Sequence, residues 1–400
     1  MRIKKSLMLL SLAALVVFPG CKSSGSASET SVPASTTPAP VESSTPTTTA
    51  TPAPTPTSSP PPASQGTSAS VAMKKVTAAR LADPKAGWIG GDGWLAHTDN
   101  GGTDWKVQYT GKGTISQIFA LNGQEAWAVQ GDSNNLLATT DGGKSWSATG
   151  GHLPSSAFLH FVSKQEAFSG NAQTKDGGKT WTTLAVPEGI SGDSYFHDAK
   201  NGWAARQKGS NIEVLRTQDG GQHWSTVMTN PTVASVTGTT IRSAGADDAW
   251  VAFIGESGMT QTSYSLFHTR DGGKNWQAVL VNSTAGGGPA PGFPMEAGTG
   301  PKNAGSKPGP LYVASPDVAF MAGLCPACDK PVTVGSTTDG GKTWVNGKQS
   351  FTGYGDPLLA IADGKQGWLI TNDNEQPSVM YTTSDGGVTW KSVHTFDAPK

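Results

Sequence analysis

Arg80, Phe119, His160, Tyr195, Arg242, Tyr312 and Ala360 each stand eight residues before a recurring aromatic, which is Trp88, Trp127, Phe168, Trp203, Trp250, Phe320 or Trp368 in turn. Mostly apolar neighbours flank the set, which therefore reads as one ring of side chains from equivalent strands. Arginine, histidine and tyrosine converging in a concave site suit an anionic or carbohydrate ligand. The bland alternative is that these amphipathic side chains only fill space between neighbouring units. Carboxylates form a second set: Asp92, Asp132, Asp193, Glu256, Asp356, Asp373 and Glu375 fall where loops are expected. Glycoside hydrolysis would need two of them within roughly 5–10 Å across a cleft. The third set is Cys325-Pro326-Ala327-Cys328. In an exported chain this pair reads as a local disulfide, with a zinc site or a thioredoxin-like redox site as alternatives. Zinc would want a second Cys or His pair nearby, and the redox site a βαβ context. No metal and no cofactor is called for.

The elements that must position these residues are announced by an eight-residue pattern, Thr-x-Asp/Asn-Gly-Gly-x-x-Trp, which occurs seven times. The acidic position holds Asn100, Asp141, Asp176, Asp219, Asp271, Asp339 and Asp385; the closing aromatic is Trp105, Trp146, Trp181, Trp224, Trp276, Trp344 and Trp390. Adjacent glycines let the chain reverse, and the carboxylate or amide accepts backbone N–H groups inside the turn. The Trp then staples its hairpin by covering apolar area and fixing the register. Asn100 keeps the acceptor and loses the charge, so the position is read as structural. Each repeat reads as four short strands, for instance 115–121, 126–130, 136–140 and 145–148, punctuated by Gly, Asn and Asp. A fixed period of a few tens of residues marks units that bury their faces only by stacking on neighbours.

These turns resemble the Asp-box, or bacterial neuraminidase repeat, of β-propeller blades. A small residue and then an aromatic entering a strand, as in Ala86-Gly87-Trp88, Asn201-Gly202-Trp203 and Gln366-Gly367-Trp368, is similar to the photosystem II stability and assembly factor-like branch. The resemblance implies an all-β, seven-bladed β-propeller of four-stranded antiparallel blades over residues 74–400. It places the Asp-boxes between third and fourth strands, away from the usual ligand face. Closure by packing of the last blade on the first is expected, with a shared blade as the alternative. The resemblance also admits glycosidases. The sialidase motif Phe/Tyr-Arg-Ile-Pro is absent, however, and Arg80, Arg206, Arg216, Arg242 and Arg270 show no arrangement like the sialidase arginine triad.

Residues 1–20 carry Arg2, Lys4 and Lys5 before an apolar run from Leu7 to Phe18, the layout of a secretory signal peptide. Gly20-Cys21 resembles a lipoprotein cleavage site, with Cys21 as the lipid attachment residue; ordinary secretion is the alternative. Residues 21–73 are a Ser/Thr/Pro-rich tether with too little apolar surface to fold, expected to be disordered and extended. The 29 Lys and Arg against 30 Asp and Glu leave no basic footprint for nucleic acid.

The sequence therefore reads as an exported, lipid-anchored, non-catalytic propeller. It is expected to be a monomer, attached to the membrane by its anchor alone, with a protein complex or a cell-envelope glycan as partner. A glycan-binding or glycoside-hydrolysing propeller is the alternative. Two further binding candidates stand apart from the ring. Trp94, the one Trp of the 13 outside the two repeat positions, is expected at the rim, either stacking on a ligand or packing over the last blade. The Gly- and Pro-rich run 283–310, with Phe293 and Met295 at its centre, is expected to fold over the channel mouth as a docking loop, with a disordered insert as the alternative.

Overall fold

The computed structural model describes residues 71–131, 133–294 and 300–399. The chain divides into two units, Met1–Ser64 and Gln65–Lys400, and every described residue belongs to the second. The signal segment, Cys21, the tether through residue 70, Asp132 and residues 295–299 lie outside the described residues.

The described residues form strands and turns without a helix. The first sheet contains β1 (Val76–Leu81), β2 (Gly87–Thr98), β3 (Lys106–Ala120), β4 (Ala126–Gln130), β5 (Asn135–Thr139) and β6 (Ser147–His152). The second contains β7 (Leu159–Phe161), β8 (Ala167–Ser169), β9 (Ala172–Thr174) and β10 (Thr182–Thr183). The third contains β11 (Tyr195–Phe196), β12 (Gly202–Lys208), β13 (Asn211–Thr217) and β14 (Ser225–Pro231). The fourth contains β15 (Gly238–Arg242), β16 (Ala249–Ser257), β17 (Thr262–Thr269) and β18 (Gln277–Asn282). The fifth contains β19 (Lys307–Val313), β20 (Ala319–Leu324), β21 (Val332–Thr337) and β22 (Val345–Phe351). The sixth contains β23 (Leu358–Ile361), β24 (Gly367–Thr371), β25 (Val379–Thr383) and β26 (Lys391–Thr395).

Neighbours in each sheet are antiparallel and consecutive in sequence, the meander of a β-propeller blade. The expected seven blades are corrected to six sheets, five of them four-stranded and the first six-stranded. The cause is β3, which runs unbroken from Lys106 to Ala120. Its first part pairs with β2, as in Leu95 opposite Tyr109, and its second with β4, as in Phe119 opposite Trp127. Two of the seven repeat turns therefore belong to the first sheet and one to each of the others.

Inside the turns the centre is the threonine. Thr139 is buried, its hydroxyl donates to Asp141 Oδ1 at 2.8 Å, and it accepts the Gly143 N–H at 2.8 Å. Asp141 in turn accepts the Ser145 N–H at 3.0 Å and the Ser145 hydroxyl at 2.6 Å. The same bonds recur at Thr217 and Asp219, Thr269 and Asp271, and Thr337 and Asp339. In the first turn the polarity is swapped: Asn100 accepts from Thr98 and the Asp104 N–H, then donates through Nδ2 to Asp104 Oδ2 at 2.9 Å. The amide works there because its partner four residues on is itself a carboxylate. Thr139→Val keeps the shape and strands a buried N–H, so it should cost about 1–3 kcal/mol, read by urea unfolding.

The bonds also hold the turn carboxylates ionised. The Ser145 hydroxyl and N–H, then Thr139, bring Asp141 down to about 2. The N–H and side chain of the residue four positions on do the same for Asp219, Asp271 and Asp339, each at about 2. A folded-state value below the unfolded value of about 3.9 means the folded protein binds fewer protons. Its contribution is present above about pH 4 and is lost as pH falls toward 2. The thermal midpoint is expected to drop through that window, and less steeply in Asp141→Asn, which keeps the acceptor.

The core lies between sheets. The second-strand aromatics Trp88, Trp203, Trp250, Phe320 and Trp368 are almost wholly buried. Most motif Trp side chains are partly buried and several reach an adjacent sheet where their own hairpin was expected, whereas Trp146 packs within the first sheet and buried Trp390 donates to the Gly387 carbonyl of its own turn at 3.2 Å. Trp276 meets Trp203 edge-on at 6.1 Å and donates to the Val227 carbonyl at 3.1 Å. Third-strand residues add polar links to the next sheet. His268 Nδ1 lies 2.8 Å from the Gly340 carbonyl oxygen, and Arg216 donates to the Gly272 carbonyl at 3.1 Å. The last sheet closes on the first in the same way, with Trp105 against Trp368 at 5.3 Å and the Trp368 indole N–H on the Gly101 carbonyl at 3.0 Å. Asp397 N–H donates to the Met73 carbonyl, and Asp397 Oδ2 accepts the Met73 N–H. Among the described residues no strand is exchanged, since β23 to β26 come from one continuous stretch and β1 pairs only within the first sheet.

Candidate functional site

The first-strand residues pair directly with the buried aromatics of the second strands: Arg80 opposite Trp88, Phe119 opposite Trp127, His160 opposite Phe168, Tyr195 opposite Trp203, Arg242 opposite Trp250, Tyr312 opposite Phe320 and Ala360 opposite Trp368. The eight-residue offset is the length of the first-to-second-strand hairpin, so it repeats wherever that hairpin does. Arg80, Phe119, His160, Tyr195, Arg242 and Tyr312 converge on a cavity of about 510 Å³. Strands β1, β3, β7, β11, β15, β19 and β23 all contribute to its lining. Ala360 is buried in the packing between the first and last sheets, and Leu359 lines the cavity in its place.

Two arginines dominate the electrostatics. The Arg80 guanidinium sits over Phe119 at 4.4 Å and near Tyr312 at 5.6 Å; Arg242 sits over Phe158 at 4.0 Å. Neither takes part in an ion pair among the described residues. Arg80 Nε is buried without a partner, and Arg242 donates to the carbonyl of Ile241 at 2.8 Å. Burial lowers Arg242, while Tyr195 and then Asp193 pull it back up. No Asp or Glu is among the described residues lining the cavity. The acid nearest in effect, Asp193, lines a smaller adjoining pocket with Arg242.

Two of the neutral groups, His160 and Tyr195, are already engaged. Buried His160 stacks on Tyr195 at 4.9 Å and points Nε2 at the His197 carbonyl oxygen, 3.2 Å away. A carbonyl only accepts, so Nε2 carries the proton. Burial takes His160 down to about 4, with Arg80 and Arg242 pushing the same way. The ring is therefore neutral at physiological pH, and the cavity's charge belongs to the arginines. Tyr195 donates to the Ser243 carbonyl at 3.2 Å and is pushed up to about 12 by burial.

The other candidates fall elsewhere. Trp94 is 2% exposed and packs with Val76, Ile89 and Trp368, which ends the rim-stacking expectation. A Cβ at Gly91 would occupy the place of its indole, so the Gly-Gly-Asp-Gly hairpin turns Trp94 inward. Phe293 stacks on Phe267 at 5.6 Å, against the core between the third and fourth sheets. Buried Asn303 donates to the Ala322 carbonyl at 3.2 Å and accepts the Trp344 indole N–H at 3.2 Å. The described part of the 283–310 run is thus bound to the sheets and reaches the cavity lining only at Pro310, in β19, so it forms no lid among the described residues. Its removal would take packed groups with it.

Cys325 and Cys328 are joined by a disulfide, and Tyr354 donates to the Cys328 carbonyl at 3.0 Å. Among the described carboxylates, Asp92 lies in β2 and Glu256 in β16, Asp193 and Asp356 precede β11 and β23, and Asp373 and Glu375 share the loop between β24 and β25. Glu256 accepts from Ser235, while Asp373 accepts the N–H groups of Tyr354 and Glu375. Asp92 and Asp356 are exposed. Sequence reasoning missed Phe158 and His197, which lie just outside the eight-residue offset.

Structural comparison finds β-propellers at low identity. YCF48 bound to D1 peptide is 16% identical, covering 79% of this chain and 92% of that one, with a TM-score of 0.44. YCF48 from Cyanidioschyzon merolae is 15% identical over 79% and 94%, with a TM-score of 0.49. A GH74 enzyme from Niastella koreensis is 14% identical over 80% and 66%, with a TM-score of 0.37. No protein-family model and no curated protein matches the chain. The fold rests on the strand pairing itself.

Proposed function

We propose that this chain is an exported, lipid-anchored propeller that binds a protein or cell-envelope partner and catalyses no reaction. In this reading Cys21 carries the lipid and residues 22–73 carry the propeller away from the membrane. The observation that supports binding is the pair Arg80 and Arg242: two guanidiniums braced on aromatic faces in a large cavity, with no carboxylate beside them. Half-buried guanidiniums without a carboxylate partner gain charge-assisted hydrogen bonds when an anionic group enters between them. The same lining disfavours glycoside hydrolysis in the cavity, because acid and nucleophile or base are both carboxylates in that chemistry.

The test is a crosslinked capture from intact cells with the full chain on its tether. Recovery of a polypeptide supports the reading, and polysaccharide alone would support the glycan alternative. Turnover of a glycan by the purified chain would overturn the non-catalytic assignment.

A further inference from the structure

The stacking of both arginines constrains what the cavity accepts. Phe119 and Phe158 cover guanidinium faces, and a guanidinium stacked on a ring still presents its N–H groups along its edge. Three of the remaining polar groups are committed, while the Tyr312 hydroxyl in this lining has no hydrogen-bond partner among the described residues. His160 Nε2–H is committed to the His197 carbonyl, Tyr195 to the Ser243 carbonyl, and the Ser243 hydroxyl to the Gly245 carbonyl at 2.7 Å. The rest of the wall is apolar, with Ile118, Phe161, Val162, Leu311, Val313 and Leu359.

We propose that this cavity binds a small organic carboxylate with an apolar body, its two oxygens held by the edges of Arg80 and Arg242 and its body laid on the aliphatic wall. This deepens the binding reading above and rests on it. A carboxylate presents two oxygens, which two guanidiniums satisfy. A phosphate dianion brings a third acceptor oxygen, for which the Tyr312 hydroxyl is a donor, but no apolar body for the wall. Acetate would fill the polar end and leave the apolar wall wet, whereas an aromatic or branched body removes that wall from water. Asp193, outside this lining, does not compete for the same position.

Calorimetric titration of the purified full chain with phenylacetate, phenylacetamide and acetate tests the assignment. Phenylacetate is expected to bind at least about tenfold more tightly than either control, a difference of about 1.4 kcal/mol. The Arg80→Met/Arg242→Met double variant should reduce it to the phenylacetamide level. Equal binding of phenylacetamide would overturn the charge requirement, and equal binding of acetate the apolar one. Should the double variant not fold, Arg80→Lys and Arg242→Lys keep charge and lose the planar fork. Each is expected to weaken phenylacetate severalfold, and unchanged binding in both overturns the proposal. Failure of phenylacetate to bind while cellular partner capture still depends on the arginines would overturn this inference and leave the binding reading standing. The reverse pattern would overturn that reading.

Discussion

Asp248→Ala is expected to destabilise the propeller by about 3–5 kcal/mol, the usual cost of breaking a buried ion pair from one side. His268 and Asp248 are 1% and 4% exposed, and His268 Nε2 lies 2.8 Å from Asp248 Oδ1. The other nitrogen, Nδ1, faces the Gly340 carbonyl oxygen at 2.8 Å. Both neighbours are acceptors and face the ring from either side. That ring lies flat on Trp250 at 3.8 Å. Removing Asp248 leaves the ring unpaired in the space between the fourth and fifth sheets, and also strips the Ala244 N–H of its acceptor. Urea unfolding at neutral pH measures the loss. Asp317→Ala is the control, because it breaks an exposed pair with Arg270 and should cost no more than about 1 kcal/mol. Equal effects of the two would refute the buried-pair account.

Gly221→Ala is the second large effect. Gly221 has φ +92°, a conformation that costs an alanine about 1–3 kcal/mol. A Cβ there would also collide with the Ala185 carbonyl oxygen, a backbone atom without a rotamer to yield. Gly113 shares the positive φ, at +84°, with open space around its Cβ position. Gly113→Ala therefore isolates the conformational part. Thermal unfolding should place Gly221→Ala well below Gly113→Ala, and coincident melting curves would show that the third sheet shifts to accept the methyl.

The cavity was legible in the sequence because one hairpin length recurs. The offset from Trp203 to Tyr195 is the same as from Trp250 to Arg242, and the register makes each a direct pair. The repeat turns were legible for the same reason, although the eye falls on the exposed Asp where the buried Thr is the centre. The sheet count was not legible, since nothing in Tyr109-Thr110-Gly111-Lys112-Gly113 says that β3 passes through it unbroken. Trp94 and Phe293 occur once each, so no repeat position predicted their surroundings. Both are claimed by tertiary packing, Trp94 against Trp368 and Phe293 against Phe267. The His268 and Asp248 pair joins residues of different strands, and a single sequence carries no signal for it.

The most direct test of the binding account is quantitative crosslinked capture by the full-length Arg80→Met/Arg242→Met variant beside wild type, at matched expression and thermal midpoint. The account predicts that partner recovery falls at least about tenfold, as expected when the charged anchors at the centre of a binding site are removed. Recovery equal to wild type from the folded double variant would contradict it and move the partner site off the channel.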